Sequence, residues 1–221
     1  NASGADAYIW TPNDSLTNAV ISDPLAFPAD TTDYVAQGVD LNGCINTDTV
    51  TVVVNPLPDA DAGANVNICE NDNTLLNATG GESYLWSPSF YLNHDTVASP
   101  LAYPDTSMMF YVQVTDSNGC IENDSIYVTV FMIYTVDDQL ICLGDSVQLN
   151  VFGEPAVSYN WSPVAGLNDP NIIDPWATPT STTTYVVTAT DSQGCTDQDD
   201  VLVEISSDLA SFDTEVVGGC E

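Results

Sequence analysis

Six cysteines, 32 acidic residues and a single histidine are the side chains of this 221-residue sequence with obvious chemical potential. The thiols are Cys44, Cys69, Cys120, Cys142, Cys195 and Cys220. No CxxC spacing and no histidine cluster accompanies them, which argues against zinc. Paired disulfides in an oxidising, extracellular compartment fit better. The acids invite two further readings. Asp59 and Asp61 follow a Pro-rich stretch, Asp137 and Asp138 sit at the matching point later on, and Asp197, Asp199 and Asp200 follow Cys195. Calcium takes six to eight oxygen ligands and suits such groups, so Ca2+ at Asp59, Asp61, Asp137 and Asp138 is one expectation and a solvated acidic surface the other. None of the clusters has EF-hand spacing. Carboxylate pairs are too abundant for any one to read as a glycosidase pair. His94, the lone histidine, has no partner pattern resembling a triad. The chain is therefore expected not to be an enzyme.

Charge narrows the partners. The sequence has no Lys and no Arg, and its formal net charge is −32. Phosphate backbones are bound by cations, so nucleic acid is excluded as a partner. No apolar run reaches the roughly 18 residues of a membrane-spanning helix. A hydrophobic fraction of 44% is too high for a disordered polyanion. Self-repulsion must be relieved by salt, divalent ions or spacing along a rod.

The elements that position the cysteines emerge from self-comparison. Tyr8-Ile9-Trp10-Thr11-Pro12, Tyr84-Leu85-Trp86-Ser87-Pro88 and Tyr159-Asn160-Trp161-Ser162-Pro163 match, with the tryptophans 76 and 75 residues apart. Leu16, Leu92 and Leu167 keep this spacing, as do Pro24, Pro100 and Pro175, and Pro28, Pro104 and Pro179. Tyr34, Tyr111 and Tyr185 align on the same basis. Each repeat then reaches Gly-Cys, at Cys44, Cys120 and Cys195. A second series, Cys69, Cys142 and Cys220, opens successive repeats. The organisation read from this is 1–56 for repeat one, which lacks its opening strand, 57–131 for repeat two, 132–206 for repeat three, and 207–221 for the opening strand of a following repeat.

Within repeat two, short alternating segments appear at 66–69, 74–78, 83–86, 110–115 and 125–130, with a further candidate near Val97. Gly80-Gly81 and Asp116-Ser117-Asn118-Gly119 read as turns. Short strands without a helix point to an all-β fold: tandem Ig-like antiparallel sandwiches with one inward Trp per repeat. On this strand reading the expected disulfides are Cys69–Cys120 and Cys142–Cys195, with Cys44–Cys69 across a repeat boundary as the alternative. Cys44 and Cys220 then remain for an inter-subunit or inter-repeat bond. Successive subunits would join head to tail, the strand around Val216-Val217 adding to the next subunit's first repeat.

The motifs Ile141-Cys142 through Leu149, Tyr159-x-Trp161-Ser162-Pro163, Ala177-x-Pro179 through Tyr185, and Val187-Thr188-Ala189-Thr190-Asp191-x-x-Gly194-Cys195 resemble the PKD-like/Ig-like repeats of large Bacteroidota surface proteins. Those proteins include gliding-motility adhesins and other type IX secretion cargo. The resemblance covers essentially the whole chain. It implies a cell-surface, extracellular stalk carrying adhesive or enzymatic tips, and this chain is expected to form such a stalk or filament. It also marks Asp-Ser/Thr-apolar triplets as O-glycan acceptors, here at Ser15, Thr49, Thr96, Ser125 and Ser146. A glycan- or protein-binding module using the divergent loops 13–23, 89–99 and 164–174 is the competing expectation. Trp176, outside the repeat pattern, is a candidate contact residue.

Overall fold

A computed structural model describes residues 1–206. By spatial contact the chain divides into one unit of residues 1–59 with the segments 80–82 and 114–122, and a second unit of residues 60–79, 83–113 and, among the described residues, 123–206. No α-helix occurs among the described residues.

Repeat one forms a three-stranded sheet, β1 (Ala7–Thr11), β2 (Thr32–Val39) and β3 (Ile45–Val52), paired antiparallel in that order. Repeat two contains β4 (Val66–Cys69), β5 (Thr74–Leu75), β6 (Ser83–Ser87), a short 3-10 turn at Ser89–Tyr91, β7 (Leu101–Ala102), β8 (Met108–Thr115) and β9 (Ile121–Phe131). Its main sheet runs β4-β9-β8-β6, and β5-β7 forms the smaller one. Repeat three has β10 (Ile133–Thr135), β11 (Gln139–Cys142), β12 (Val147–Gln148), β13 (Val151–Gly153), β14 (Ser158–Ser162), β15 (Trp176–Ala177), β16 (Thr183–Thr190) and β17 (Thr196–Ser206). The order β11-β17-β16-β14 repeats that of the preceding sheet, and β12-β15 and β10-β13 complete it.

This is the all-β, Ig-like sandwich expected, with two differences. The opening strands are parallel to the closing ones: β4 lies along β9 and β11 along β17. The segment near Val97 is loop, and the partner strand forms later, at Leu101–Ala102.

The pattern of two along each strand builds the core. In β16, Tyr185, Val187 and Ala189 are buried and their neighbours are not. In β8 the inward series is Phe110, Val112 and Val114. Phe110 thus holds the place of Tyr34 and Tyr185, while Tyr111 is half exposed, so the alignment of Tyr111 with those tyrosines shifts by one. Tyr34 and Tyr185 donate their hydroxyls to the carbonyls of Asp14 (3.2 Å) and Ala165 (2.8 Å); Phe110 has no hydroxyl to satisfy.

Trp10, Trp86 and Trp161 are all buried. Each indole Nε1 donates to a carbonyl eleven residues on: Ile21 (2.9 Å), Val97 (3.1 Å) and Ile172 (3.1 Å). A buried indole needs such an acceptor, and this bond ties the loop after each tryptophan strand down onto it. The Pro that follows each is in the cis form, at Thr11-Pro12, Ser87-Pro88 and Ser162-Pro163.

Candidate functional site: the joints of the repeat

The cysteine-bearing turn is built the same way three times. Asp40, Asp116 and Asp191 begin it, and Gly43, Gly119 and Gly194 take positive φ within it. Each Asp Oδ1 accepts two backbone N–H groups: Asn42 and Cys44 (both 2.8 Å), Asn118 and Cys120 (2.9 and 2.8 Å), and Gln193 and Cys195 (2.8 and 2.9 Å). An Asp side chain that mimics a backbone turn in this way fixes the loop. The Cys44 N–H, with Asn42, holds the Asp40 carboxyl below the usual range. At Asp116 desolvation acts upward, but the N–H donors of Cys120, Asn118 and Gly119 outweigh it and the net shift is also downward. Residues 116–119 read in sequence as an Asn-Gly turn; the Asp that recurs three residues before each Gly is the signal for the cap.

A second carboxylate serves each opening segment. Asp124, four residues after Cys120, accepts the N–H of Ala62 at 2.7 Å. Asp199, four after Cys195, accepts the N–H of Thr135 at 2.6 Å and its hydroxyl at 3.0 Å. Ala62 and Thr135 each stand seven residues before their opening-strand cysteine. Asp197 accepts the Ile133 N–H at 2.7 Å. In a chain without Lys or Arg, backbone amides take the part of the missing cations, and hydrogen bonds to ionised acceptors are the stronger kind.

The disulfide joins Cys69 to Cys195, with the Cα atoms 5.2 Å apart at a sequence separation of 126. It therefore links repeat two to repeat three, and the expected Cys69–Cys120 and Cys142–Cys195 bonds do not form. Strand register gives the reason. Cys142 pairs opposite Ser206, the last residue of β17, whereas Cys195 immediately precedes the first. Eleven residues of extended strand, roughly 35 Å, separate them, far beyond the 7 Å limit for bridging. The same register sets Cys69 opposite Phe131, at the far end of β9 from Cys120. Cys69 packs instead against the core of repeat three, beside the buried Cys195. Its use there also removes the Cys44–Cys69 alternative. Cys44 and Cys142 are exposed free thiols and Cys120 a half-buried one; Cys220 lies outside the described residues.

The remaining candidates stay dispersed. Among the described residues no three His, Cys, Asp or Glu side chains gather as metal ligands. Asp61 accepts the N–H of Gly63, Asp138 accepts that of Leu202, and Asp59 and Asp137 are surface residues. These four acids therefore bring at most two carboxylates to any one place among the described residues. Ser15, Thr49, Thr96, Ser125 and Ser146 are all exposed or half-buried. Trp176 is 47% exposed, while its backbone is held by the Asn168 side chain at 2.8 Å. His94 is exposed in the loop after the 3-10 turn.

No protein-family model and no curated protein matches the sequence. Among solved structures the chain is similar to the N-terminal eight Ig domains of Down Syndrome Cell Adhesion Molecule, at 13% identity and a TM-score of 0.33, over 92% of this chain and 32% of that one. It is similar to the insect immune protein hemolin at 14% identity and 0.36, over 90% and 67% of the two chains. DIP-gamma IG1+IG2 gives 11% and 0.38, over 69% of this chain and 99% of that one. The chain thus spans about a third of the first of these structures.

Proposed function

We propose that the chain is a section of an extracellular structural array, a cell-surface stalk or filament of Ig-like repeats with 57–131 and 132–206 as its units, of the kind its sequence motifs resemble in Bacteroidota surface proteins. The Cys69–Cys195 bond carries this reading. A disulfide inside one sandwich would stabilise that sandwich alone; one between successive repeats transmits load from each to the next. The repeat organisation itself, in which neighbours make the significant contacts, suits a linear element. No helix among the described residues is long and apolar enough to cross a membrane.

Two experiments test the proposal. Antibody against residues 57–206 should label intact producing cells along surface projections; label that appears only after permeabilisation refutes the surface role. Pulling the oxidised protein by its two ends should leave the residues between Cys69 and Cys195 unextended. Reductant should then release about 440 Å of additional contour, at roughly 3.5 Å per residue over 126 residues. Equal extension with and without reductant refutes the load-bearing joint.

A second reading, a module that binds glycan or protein through its loops, is favoured by exposed apolar side chains in and beside them. Val20, Leu25 and Phe27 in repeat one, Phe90 in repeat two, and Val164 and Trp176 in repeat three all face solvent. Glycan-array binding by the isolated chain, abolished by Phe90→Ala or Trp176→Ala, supports it; no binding removes it.

A further inference from the structure

Two of the three cysteine-bearing turns carry a second reactive pair. Asn42-Gly43 and Asn118-Gly119 are the two Asn-Gly steps of the sequence, and the third turn has Gln193-Gly194 in the same place. We infer that Asn42 and Asn118 are sites of spontaneous, backbone-assisted deamidation. The amide nitrogen of the following glycine attacks the Asn side chain, and the turn ends as a mixture of aspartate and isoaspartate. The capping Asp of each turn is the latch that sets the rate. This concerns ageing of the turn and goes beyond the stalk reading.

The step needs no enzyme and no oxidant. Gly119 N gives its proton to hydroxide and bonds to Asn118 Cγ. The Cγ–Nδ2 bond breaks, and the leaving amide takes a proton from water and departs as ammonia. The product is a five-membered succinimide. Water then adds to one of its two carbonyls. Cleavage between the ring nitrogen and Cγ gives aspartate; cleavage at the main-chain carbonyl leaves Gly119 attached through Cγ and gives isoaspartate. One water is consumed and one ammonia released at each site. At Gln193 the same attack must close a six-membered ring through one more rotatable bond, which makes it much slower.

The turn tips leave room for this ring. Asn42, Gly43, Asn118 and Gly119 are exposed. Both glycines have φ of +81°, and a Cβ built on either would meet no atom within 4 Å among the described residues. The attacking nitrogen therefore has no side chain beside it and no neighbour above it. Gln193 and Gly194 are exposed too, although Cys195 next to them is buried in the joint with Cys69. Exposure of the tip is thus a property of the turn itself, kept even where another repeat covers the cysteine.

What restrains the reaction is the closed turn. Gly43 N–H donates to the Asp40 carbonyl at 3.0 Å and Gly119 N–H to that of Asp116 at 3.1 Å, so each nucleophile is occupied while the turn is shut. The two N–H bonds to each Asp Oδ1 hold it shut. Oδ2 of the same Asp faces the Asn Nδ2, at 3.5 Å in the first turn and 3.4 Å in the second. Deamidation then undoes its own latch. It puts a carboxylate where a donor faced Asp Oδ2, setting two like charges together. Isoaspartate also lengthens the main chain by one carbon within the span that Asp116 Oδ1 bridges, and the bond from the Cys120 N–H is lost with it. The turn that makes the Cys69–Cys195 joint carries Gln, so that joint is spared.

The test incubates the full folded chain in mildly alkaline buffer and follows its mass, each site gaining one mass unit. Peptic digestion suits a chain without Lys or Arg, and its acidity halts the reaction. The gain should map to Asn42 and Asn118, with isoaspartate at both detected by isoaspartyl methyltransferase labelling. The exposed Asn73, Asn93, Asn171 and Gln193 should stay unchanged over the same interval. Asn118→Gln, which adopts the residue of repeat three, should abolish the gain at that position alone. Asp116→Ala should speed it about ten-fold, the worth of one hydrogen bond to a charged acceptor, and Asp116→Asn, which keeps an acceptor, by less. Amide exchange at Cys120 should be faster in chains carrying isoaspartate at position 118. Four results would overturn the proposal: no gain at Asn118 in the folded chain, an equal gain at Asn73 or Asn93, unchanged exchange at Cys120 after isoaspartate forms, or a rate indifferent to Asp116→Ala in a chain whose fold is confirmed by tryptophan emission. Surface labelling and pulling read none of these quantities, so the stalk reading stands or fails separately.

Discussion

Replacing the tryptophan of each repeat by alanine should cost very different amounts in repeats one and three. Trp161 is fully buried. A buried Trp removes about 200 Å² from water, worth about 5 kcal/mol at 25 cal/mol per Å², and measured Phe and Trp truncations lie at about 3–5 kcal/mol. Loss of the Nε1 bond leaves the Ile172 carbonyl without that donor, adding about 1 kcal/mol. Trp161→Ala should therefore destabilise by about 4–6 kcal/mol. Trp10 makes the corresponding bond to Ile21, but its core is only Tyr34 and Ala36 with partly buried neighbours. A hollow of about 120 Å³ lined by Ala2, Trp10, Ala36 and Asp48 adjoins it. Leu76 and Leu149, fully buried in repeats two and three, have no counterpart within residues 1–56. A cavity opening onto solvent fills with water, so Trp10→Ala should cost less than about half as much. The assay is amide hydrogen exchange resolved by repeat, reading β2 for Trp10→Ala and β16 for Trp161→Ala. Equal losses in the two repeats would refute the claim that repeat one is an incomplete sandwich.

Four further outcomes are expected. Cys195→Ser should lower the denaturant stability of residues 60–206 by up to about 5 kcal/mol, the chain-entropy value for a loop above a hundred residues; an unchanged midpoint would dismiss the bond. Asp199→Ala should cost about 1–3 kcal/mol by stranding the Thr135 N–H, whereas Asp199→Asn, which keeps an acceptor, should cost less than half of that by the same unfolding curve. Because the folded carboxyls of Asp40 and Asp116 lie below the ordinary value of 3.8, their contribution is fully present above that value and is lost as pH falls through the lower folded one; exchange of the Cys44 and Cys120 amides should accelerate below about pH 4 relative to the intrinsic rate, and flat protection to pH 2 would contradict this. Finally, calcium should raise the melting temperature no more than sodium chloride of matched ionic strength if it acts only by screening the −32 charge; a calcium-specific rise would point to a bound ion, and its loss in Asp59→Asn/Asp61→Asn or Asp137→Asn/Asp138→Asn would locate it.

Most of the sandwich could be read from the sequence. Tyr-x-Trp-Ser/Thr-Pro recurs at near-constant spacing because the inward Trp, the loop it anchors and the Pro that ends the strand are all local to one segment. The alternation in 110–115 was equally plain, though it left one ambiguity: Phe110 and Tyr111 are adjacent aromatics, and only packing decides which faces inward. The disulfide was not legible. Its partner depends on which end of β9 or β17 the opening strand reaches, and an antiparallel expectation placed Cys69 and Cys120 at neighbouring ends when the parallel register sets them a whole strand apart. The carboxylate bonds from Asp124 and Asp199 span more than sixty residues, and nothing local distinguishes these acids from the others in so acidic a chain.

A bond that runs from one repeat into the next, as Cys69–Cys195 does, has a consequence for how such genes change length. Where successive units pair by that same rule, each offers one thiol forward and one back, and unequal recombination that deletes or duplicates a whole unit leaves each surviving cysteine facing a partner of the same kind. Array length would then drift while the covalent spine stays closed. A point mutation at a single cysteine is the less forgiving event: it leaves an orphan thiol on the adjoining unit, where it is free to capture the wrong partner.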